Sequence, residues 1–400
     1  MNIILFDDEG RTDLLPLAYT RPCAEFRVGI LTISEKWNAY FNTTVSFLTE
    51  DYLSEKFPVV YNSNNLYING RLLPDSTIID QIKNIDESIV AKANGTILAF
   101  KSSKNFTSFD DLKLEASLNK LKVIEAQTIN FCHDIFTHNG TEIRKDLTLL
   151  TKGRSSADYS SSNTIIGEDI FIEEGVTMEA AVLNTTDGPI YIGKGATIME
   201  GALIKGPFAL CEGSTIKMGA KIYGDTTVGP QCKVGGEVSN SVFFARSNKG
   251  HDGYIGNSVI GEWCNLGADT NGSNLKNNYA QVKLWNYSKS RFINTGLQFC
   301  GLIMGDHSKC GINTMFNTGT VIGVSANIFG ASFPRNFIPS FTWGGATGFA
   351  TYAMSKALET ARLVMQRRTQ ELTEIDKNIL YSISEESAKH RFWENKPLNT

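Results

Sequence analysis

The sequence predicts two joined architectures, an α/β domain followed by a parallel β-helix, with α-helices at the C-terminal end. Three observations predict it. β-Rich and helical runs alternate through the first 150 residues. Aliphatic residues recur at every sixth position through the middle of the chain. Of the 35 glycines in 400 residues, five lie in residues 1–150, thirty in 151–350 and none in 351–400, so three regions place different demands on the backbone.

In the first region the β-rich runs are residues 3–6, 45–48, 66–69 and 96–100, and the helical runs are 28–41 and 112–121. Alternation of this kind predicts a mainly parallel sheet. In the second region Ile192, Ile198, Ile204, Leu210, Ile216, Ile222, Val228 and Val234 keep one phase, preceded by Ile166, Ile172 and Met178. The period returns as Met304, Cys310, Phe316, Ile322 and Ile328, and many of these residues are followed by glycine. A period of six does not fit a helix at 3.6 residues per turn, but it does fit short strands joined by like corners. Three units close one triangular turn, with the aliphatic residue pointing to the axis and a small residue at the corner. Residues 184–189 and 272–296 interrupt the repeat, the first as a turn-rich insertion between two coils and the second as a loop or hairpin expected to project over a binding face. From about residue 346 the spacing becomes helical, with a second helix over 374–393. Such a tail either caps the open end of the β-helix or holds subunits together.

The charge balance, Lys+Arg 38 against Asp+Glu 42, excludes a general nucleic-acid-coating role. Seven cysteines without a Cys-x-x-Cys pair offer neither a disulfide framework nor metal spacing and read as buried thiols in a reducing compartment. No run approaches roughly 18 apolar residues, and the N-terminus lacks a basic leader, so a cytoplasmic protein is expected, without nucleic-acid or membrane partners.

Pro16-Leu17-Ala18-Tyr19-Thr20-Arg21-Pro22, after an opening strand, resembles the start of sugar-phosphate nucleotidyltransferases. The β-helix behind it completes the layout of the bifunctional N-acetylglucosamine-1-phosphate uridyltransferase and glucosamine-1-phosphate N-acetyltransferase family. The stretch from Asn248 through His251, Tyr254, Ile260, Asn265 and Ala268 resembles that family's acetyltransferase site, including the five-then-six spacing of Ile255, Ile260 and Leu266. Gly206-Pro207-Phe208-Ala209 and Asn274-Leu275-Lys276 resemble two further family segments. The resemblance implies a nucleotidyltransferase-like α/β domain over 1–155, a left-handed parallel β-helix of hexapeptide repeats over 156–345 and an α-helical tail over 346–400. It also implies a homotrimer with sites between neighbouring subunits, and acetyl-CoA and an amino-sugar phosphate as substrates.

Acyl transfer to an amine needs a base for the departing proton and a donor for the developing oxyanion. Imidazole suits the first task near neutral pH. His251, flanked by Gly250 and by Asp252-Gly253, is the candidate base, and Asn274 is the residue that orients the amine or the histidine. By the resemblance Tyr254 and Asn265 contact the sugar phosphate, and Ala268 and Gly330 clear a path for a coenzyme A arm. Coenzyme A carries phosphates, and Lys276 and Lys283 are the candidates to hold them. One departure stands out: Leu210-Cys211-Glu212 follow Ala209 where the family has phosphate-gripping arginines.

Nucleotidyl transfer requires a glycine-rich loop, an activating cation and carboxylate-bound Mg²⁺. Residues 7–12 contain one glycine and three acids, and Asn69-Gly70-Arg71 stands where the family has a metal-ligating aspartate. Arg11 and Arg21 remain as phosphate ligands and Asp7, Asp8 or Asp75 as carriers of Mg²⁺, if this domain still turns over; a domain that has lost catalysis reads equally well. A zinc enzyme on the same β-helix would need three converging histidines, and only His251 and His307 lie in that region, so no metal site is expected there; the alternative that stays in view is a non-catalytic sugar or nucleotide-sensing or assembly protein in which both halves only bind.

Overall fold

A computed structural model describes residues 2–85, 89–93 and 95–394. By its contacts the chain forms two compact units. The first comprises Met1–Leu14, Thr20–Phe26 and Leu31–Phe131, the second Leu15–Tyr19, Arg27–Ile30 and Cys132–Thr400.

The first unit is built on one sheet of strands β1 (Asn2–Phe6), β2 (Ser46–Leu48), β3 (Asn65–Asn69), β4 (Ile89–Ala93), β5 (Thr96–Ser102) and β6 (Lys120–Val123), in the order β2-β1-β3-β5-β4-β6. The sheet is mixed rather than mainly parallel, because β5 runs antiparallel to both β3 and β4. The sequence signal for that hairpin is the Asn-Gly pair between Ala93 and Thr96. Helix α1 (Ile33–Phe41) begins five residues later than its periodicity suggests, because Thr32 caps it. The Thr32 hydroxyl accepts from Glu35 N–H at 3.2 Å and the Glu35 carboxylate accepts from Thr32 N–H at 2.7 Å. A turn, α2 (Asp51–Ser54), and helices α3 (Ser76–Lys83) and α4 (Phe109–Ser117) follow; α4 stops short of residue 121 because β6 takes the remainder.

The second unit begins with the long helix α5 (Cys132–Thr151) and then forms a three-sided parallel β-helix, the fold expected from the repeat. Its three sheets have eight, nine and ten strands, opening at Thr164–Ile166, Ile170–Ile172 and Thr177–Met178 and called here the first, second and third. Inward residues stack in register. In the second sheet these are Ile172, Ile192, Leu210, Val228, Phe243, Ile260, Met304, Ile322 and Ile338. The predicted inward positions hold from Ile172 onward, while at the first rung Ile165 faces inward and Ile166 is exposed. The interruption at 272–296 is a hairpin, Lys283–Asn286 against Arg291–Asn294.

Helix α5 covers the second sheet. Ile143 and Leu147 pack on Phe171, Ala209 and Cys211, and Asn139 bonds Asp225 O and Thr227. The tail departs from its simplest prediction. The terminal strand is finished by an antiparallel hairpin, Thr342–Gly345 with Gly348–Thr351, before helix α6 (Met354–Gln366) starts. Helix α6 does not cap the end. Just beyond its C-terminus Arg368 donates to Asn248 Oδ1 at 2.9 Å, on a strand of the third sheet four places from the Thr342–Gly345 strand, so the helix runs back along that sheet. The end is covered instead by Phe392 and Trp393, which follow α7 (Glu374–Ser387) and pack on Phe349. Among the described residues no helix is long and apolar enough to cross a membrane.

One inward position breaks the apolar column. In the third sheet Lys249 lies between Val234 and Leu266, with its side chain buried and its ammonium donating to the carbonyls of Gly235 at 2.9 Å and His251 at 2.8 Å. Burial lowers its pKa to about 8 against the pull of Asp252 and Asp269. Between pH 8 and 10.5 the unfolded chain therefore holds a proton that the folded chain has released, and folding stability rises with pH across that window. The difference in thermal stability between wild type and Lys249→Met should shift in favour of wild type from pH 8 to 10.5, by up to about 3 kcal/mol. A difference independent of pH would show that the ammonium is not desolvated.

Candidate active site on the β-helix

The corner between the third and first sheets carries the residues of most chemical interest. His251, Ala268, Ile312 and Gly330 each lie two residues past the inward residue of their strand, Lys249, Leu266, Cys310 and Ile328, and those four strands are consecutive neighbours. The four residues therefore form one column, with Gly330 about 14 Å along the axis from His251 at a strand spacing of roughly 4.8 Å. His251 and Gly330 are exposed, Ala268 is half-buried and Ile312 is 70% exposed. A Cβ built on Gly330 or on Gly250 meets nothing within 4 Å, so the column is open along its outer side.

The backbone under His251 is held in place while the imidazole is left at the surface. Lys249 grips the His251 carbonyl, and Asp269 N–H donates to Asp252 O at 3.1 Å. Gly253 has φ +109° and a Cβ there would lie 2.2 Å from Thr270 O, so only glycine fits. Sequence reading missed Lys249, although counting back six from Ile255 lands on it.

Tyr254 and Asn274 meet on the first sheet. Asn274 Nδ2 donates to the Tyr254 hydroxyl at 2.9 Å and to Asn257 Oδ1 at 2.7 Å, and burial raises the Tyr254 phenol pKa, keeping it protonated. Asn265 lies elsewhere, exposed on the outer side of the third sheet beside Asn248. Lys233 is the next residue down that side, and Arg368 reaches the same place from the tail. Lys233 has its pKa lowered by burial and by Arg368, Lys217 and Arg367, so those three cations stand close enough to act on it. None of them was singled out from sequence, since Arg367 and Arg368 are more than a hundred residues away along the chain.

Lys276 and Lys283 line a separate cavity of about 910 Å³ to which none of His251, Tyr254, Asn265, Ala268 or Gly330 contributes. His307 is at another corner, stacked on Trp263 with ring centroids 6.3 Å apart, and among the described residues no group of three or more His, Cys, Asp or Glu side chains converges on a metal position.

In the first unit the phosphate candidates are buried. The Arg11 guanidinium bonds the Tyr52 hydroxyl at 2.7 Å and pairs with Asp7 and Glu50, each at 3.5 Å, and Arg21 is 7% exposed. Burial works to lower the Arg11 pKa, but Tyr52 and Asp7 outweigh it and the net shift is upward. The three carboxylates considered for Mg²⁺ are engaged. Asp8 takes the Arg71 guanidinium through both oxygens, at 2.8 and 2.6 Å, and also accepts from Asn69. Asp7 accepts from Cys23 N–H and the Thr49 hydroxyl, and Asp75 caps α3 through Ile78 N–H. A Cβ on Gly10 would fall 2.6 Å from Arg71 Cζ, so the loop's one glycine makes room for an arginine. This donor set does not fit Mg²⁺. The 490 Å³ cavity here is lined by Arg71, Lys92 and Lys113 together with Asp8, Glu9 and Asp13, and Arg71 pairs with Asp8 and Lys113 with Glu9, each at 2.6 Å.

Comparison with known proteins places these features in context. The chain is 37% identical over 93 residues to a bifunctional sugar-1-phosphate nucleotidylyltransferase/acetyltransferase of Sulfurisphaera tokodaii, 23% of each chain. It is 36% identical over 87 residues to the bifunctional protein GlmU of Methanocaldococcus jannaschii, 22% of this chain and 21% of that protein. The chain thus spans less than a quarter of the length of these curated relatives. Among solved structures, LpxA, a UDP-N-acetylglucosamine acyltransferase from Bacteroides fragilis, overlaps 60% of this chain and 87% of its own at 15% identity, with a TM-score of 0.26. Residues 3–155, less than half of the chain, match the sugar nucleotidyl transferase family.

Proposed function

We propose that the protein is a transferase, an acetyl-CoA-dependent N-acetyltransferase acting on an amino-sugar 1-phosphate, carrying a nucleotidyltransferase-like domain that binds without metal-dependent turnover. The observation that carries this reading is the open column of His251, Ala268, Ile312 and Gly330 over a pinned loop. The similarity to bifunctional nucleotidylyltransferase/acetyltransferases supports it.

Acetyl-CoA, when bound, supplies an acyl thioester. His251 accepts the proton that the sugar amine loses as its nitrogen joins the acyl carbon, and returns a proton to the departing sulfur. Lys249 acts as a positioning residue by holding the His251 carbonyl. Tyr254 and Asn274 offer a phenol and an amide to the acceptor's hydroxyls. Lys233 and Arg368, beside Asn265, take over the phosphate-gripping task for which no arginines follow Ala209. Ala268, Ile312 and Gly330 hold the donor's narrow arm, and Lys276 and Lys283 are left to another ligand.

We also propose a homotrimer. Helix α5 covers the second sheet and α6 runs along the third, whereas the first sheet exposes Leu203, Tyr223 and Met315 at 51, 47 and 37%. An uncovered sheet that exposes these apolar side chains beside Lys205, Lys221 and Glu237 suits a second copy of the chain as its partner. Light scattering should give a native mass three times that of the chain; a monomer retaining full activity would refute the shared site.

The enzymatic reading is tested by following free thiol with acetyl-CoA and glucosamine-1-phosphate, and pyrophosphate with N-acetylglucosamine-1-phosphate, UTP and Mg²⁺. Thiol release without pyrophosphate is expected. His251→Ala should lower kcat by roughly 10²- to 10⁴-fold, while Lys233→Ala with Arg368→Ala should raise KM for the sugar phosphate at least about tenfold. Pyrophosphate production would overturn the assignment of the first domain. A His251→Ala protein with unaltered properties would favour a non-catalytic binding protein.

A further inference from the structure

The cavity holding Lys276 and Lys283 has a chemistry of its own. It lies among the hairpin Lys283–Asn286/Arg291–Asn294, the second-sheet strand Phe337–Ile338 and the short helical turn Ala388–His390. Its volume of about 910 Å³ is that of a small-molecule site. Among the described residues four cations line it, Lys276, Lys283, Arg335 and Lys389, and no carboxylate does. Lys276 donates only to a backbone carbonyl, Gln281 O at 3.2 Å, which leaves its charge uncompensated by that contact. His390 is held down to about 4 by burial and by Lys389, so at neutral pH it is an uncharged hydrogen-bonding group.

The aromatic half is equally specific. Trp285 stacks on Phe337 with centroids 4.2 Å apart and planes within 10°, which fixes both rings as a rigid floor. Its indole N–H is shut off from solvent, so the indole offers the cavity its ring and not its donor. Phe292 and Phe392 are exposed at 41 and 43%, and the Arg335 guanidinium sits 4.8 Å from the Phe392 ring centroid. A ligand that uses all of this needs more than one negative charge and a planar ring.

We propose that this cavity binds a free nucleoside diphosphate, not the nucleotide end of coenzyme A. The phosphates lie among Lys276, Lys283, Arg335 and Lys389, and the base lies against the exposed phenylalanine rings. The site is independent of the acyl-transfer reading, since its occupancy is measured by binding alone.

The test is isothermal calorimetry on the 400-residue chain carrying Lys92→Ala and Lys113→Ala, which remove the two lysines of the first unit's cavity, titrated in turn with UDP, ADP, inorganic pyrophosphate and coenzyme A. One equivalent of UDP or ADP per chain should bind in the micromolar range, at least tenfold tighter than pyrophosphate. Lys283→Ala with Arg335→Ala should weaken it at least tenfold, and Phe292→Ala should weaken the nucleotides but not pyrophosphate. All three side chains are exposed, so circular dichroism should show the fold unchanged. No heat from nucleotide at millimolar concentration, binding indifferent to these substitutions, pyrophosphate binding as tightly as UDP, or binding of coenzyme A alone would each overturn the proposal.

Discussion

Register between successive turns of the β-helix is the constraint on which the second unit depends. Each strand must hydrogen-bond to its equivalents in the turns before and after, so a side chain placed once at a corner is stacked on the equivalent side chains of its neighbours. That is why His251, Ala268, Ile312 and Gly330, spread over eighty residues of sequence, become a single column. It also explains why Lys249 matters: an ammonium placed where the lumen expects an aliphatic group can survive only by reaching carbonyls at the edge, and the carbonyls it reaches belong to Gly235 and to His251 itself.

The faces of the prism are used differently. The second sheet accepts α5 because its outer residues are small or apolar, with Ala209 and Thr227 fully buried beneath the helix. Helix α6 brings Arg368 back to Asn248 and sets cations beside Asn265. The hairpin that interrupts the repeat gives the unit a second concavity, whose floor is aromatic and whose rim is basic. The column and the cavity under the hairpin are thus separate consequences of one scaffold.

The repeat itself was legible because every inward residue is an independent vote for the same period. The signal failed where spacing drops to four and five, at Val238 and Phe243, and where the next inward residue is a lysine. Ile165 and Ile166 are alike, so hydrophobicity alone could not choose between them at the first rung. In the first unit the acids of residues 7–9 and Arg71 were read correctly as residues but not as a pair, because the bidentate contact joins positions 63 apart. The course of α6 was invisible for the same reason: helical periodicity gives a face, and only the tertiary contact of Arg368 gives a direction.

The account stands or falls on the column being the path of the acyl donor. Ile312 is exposed on it, one rung beyond Ala268, and its side chain can be enlarged without disturbing the lumen. The KM for acetyl-CoA of Ile312→Trp is the direct measurement. A rise of at least about tenfold, with the KM for the amino-sugar phosphate little changed, is the predicted result. An unaltered KM for the donor would contradict the account.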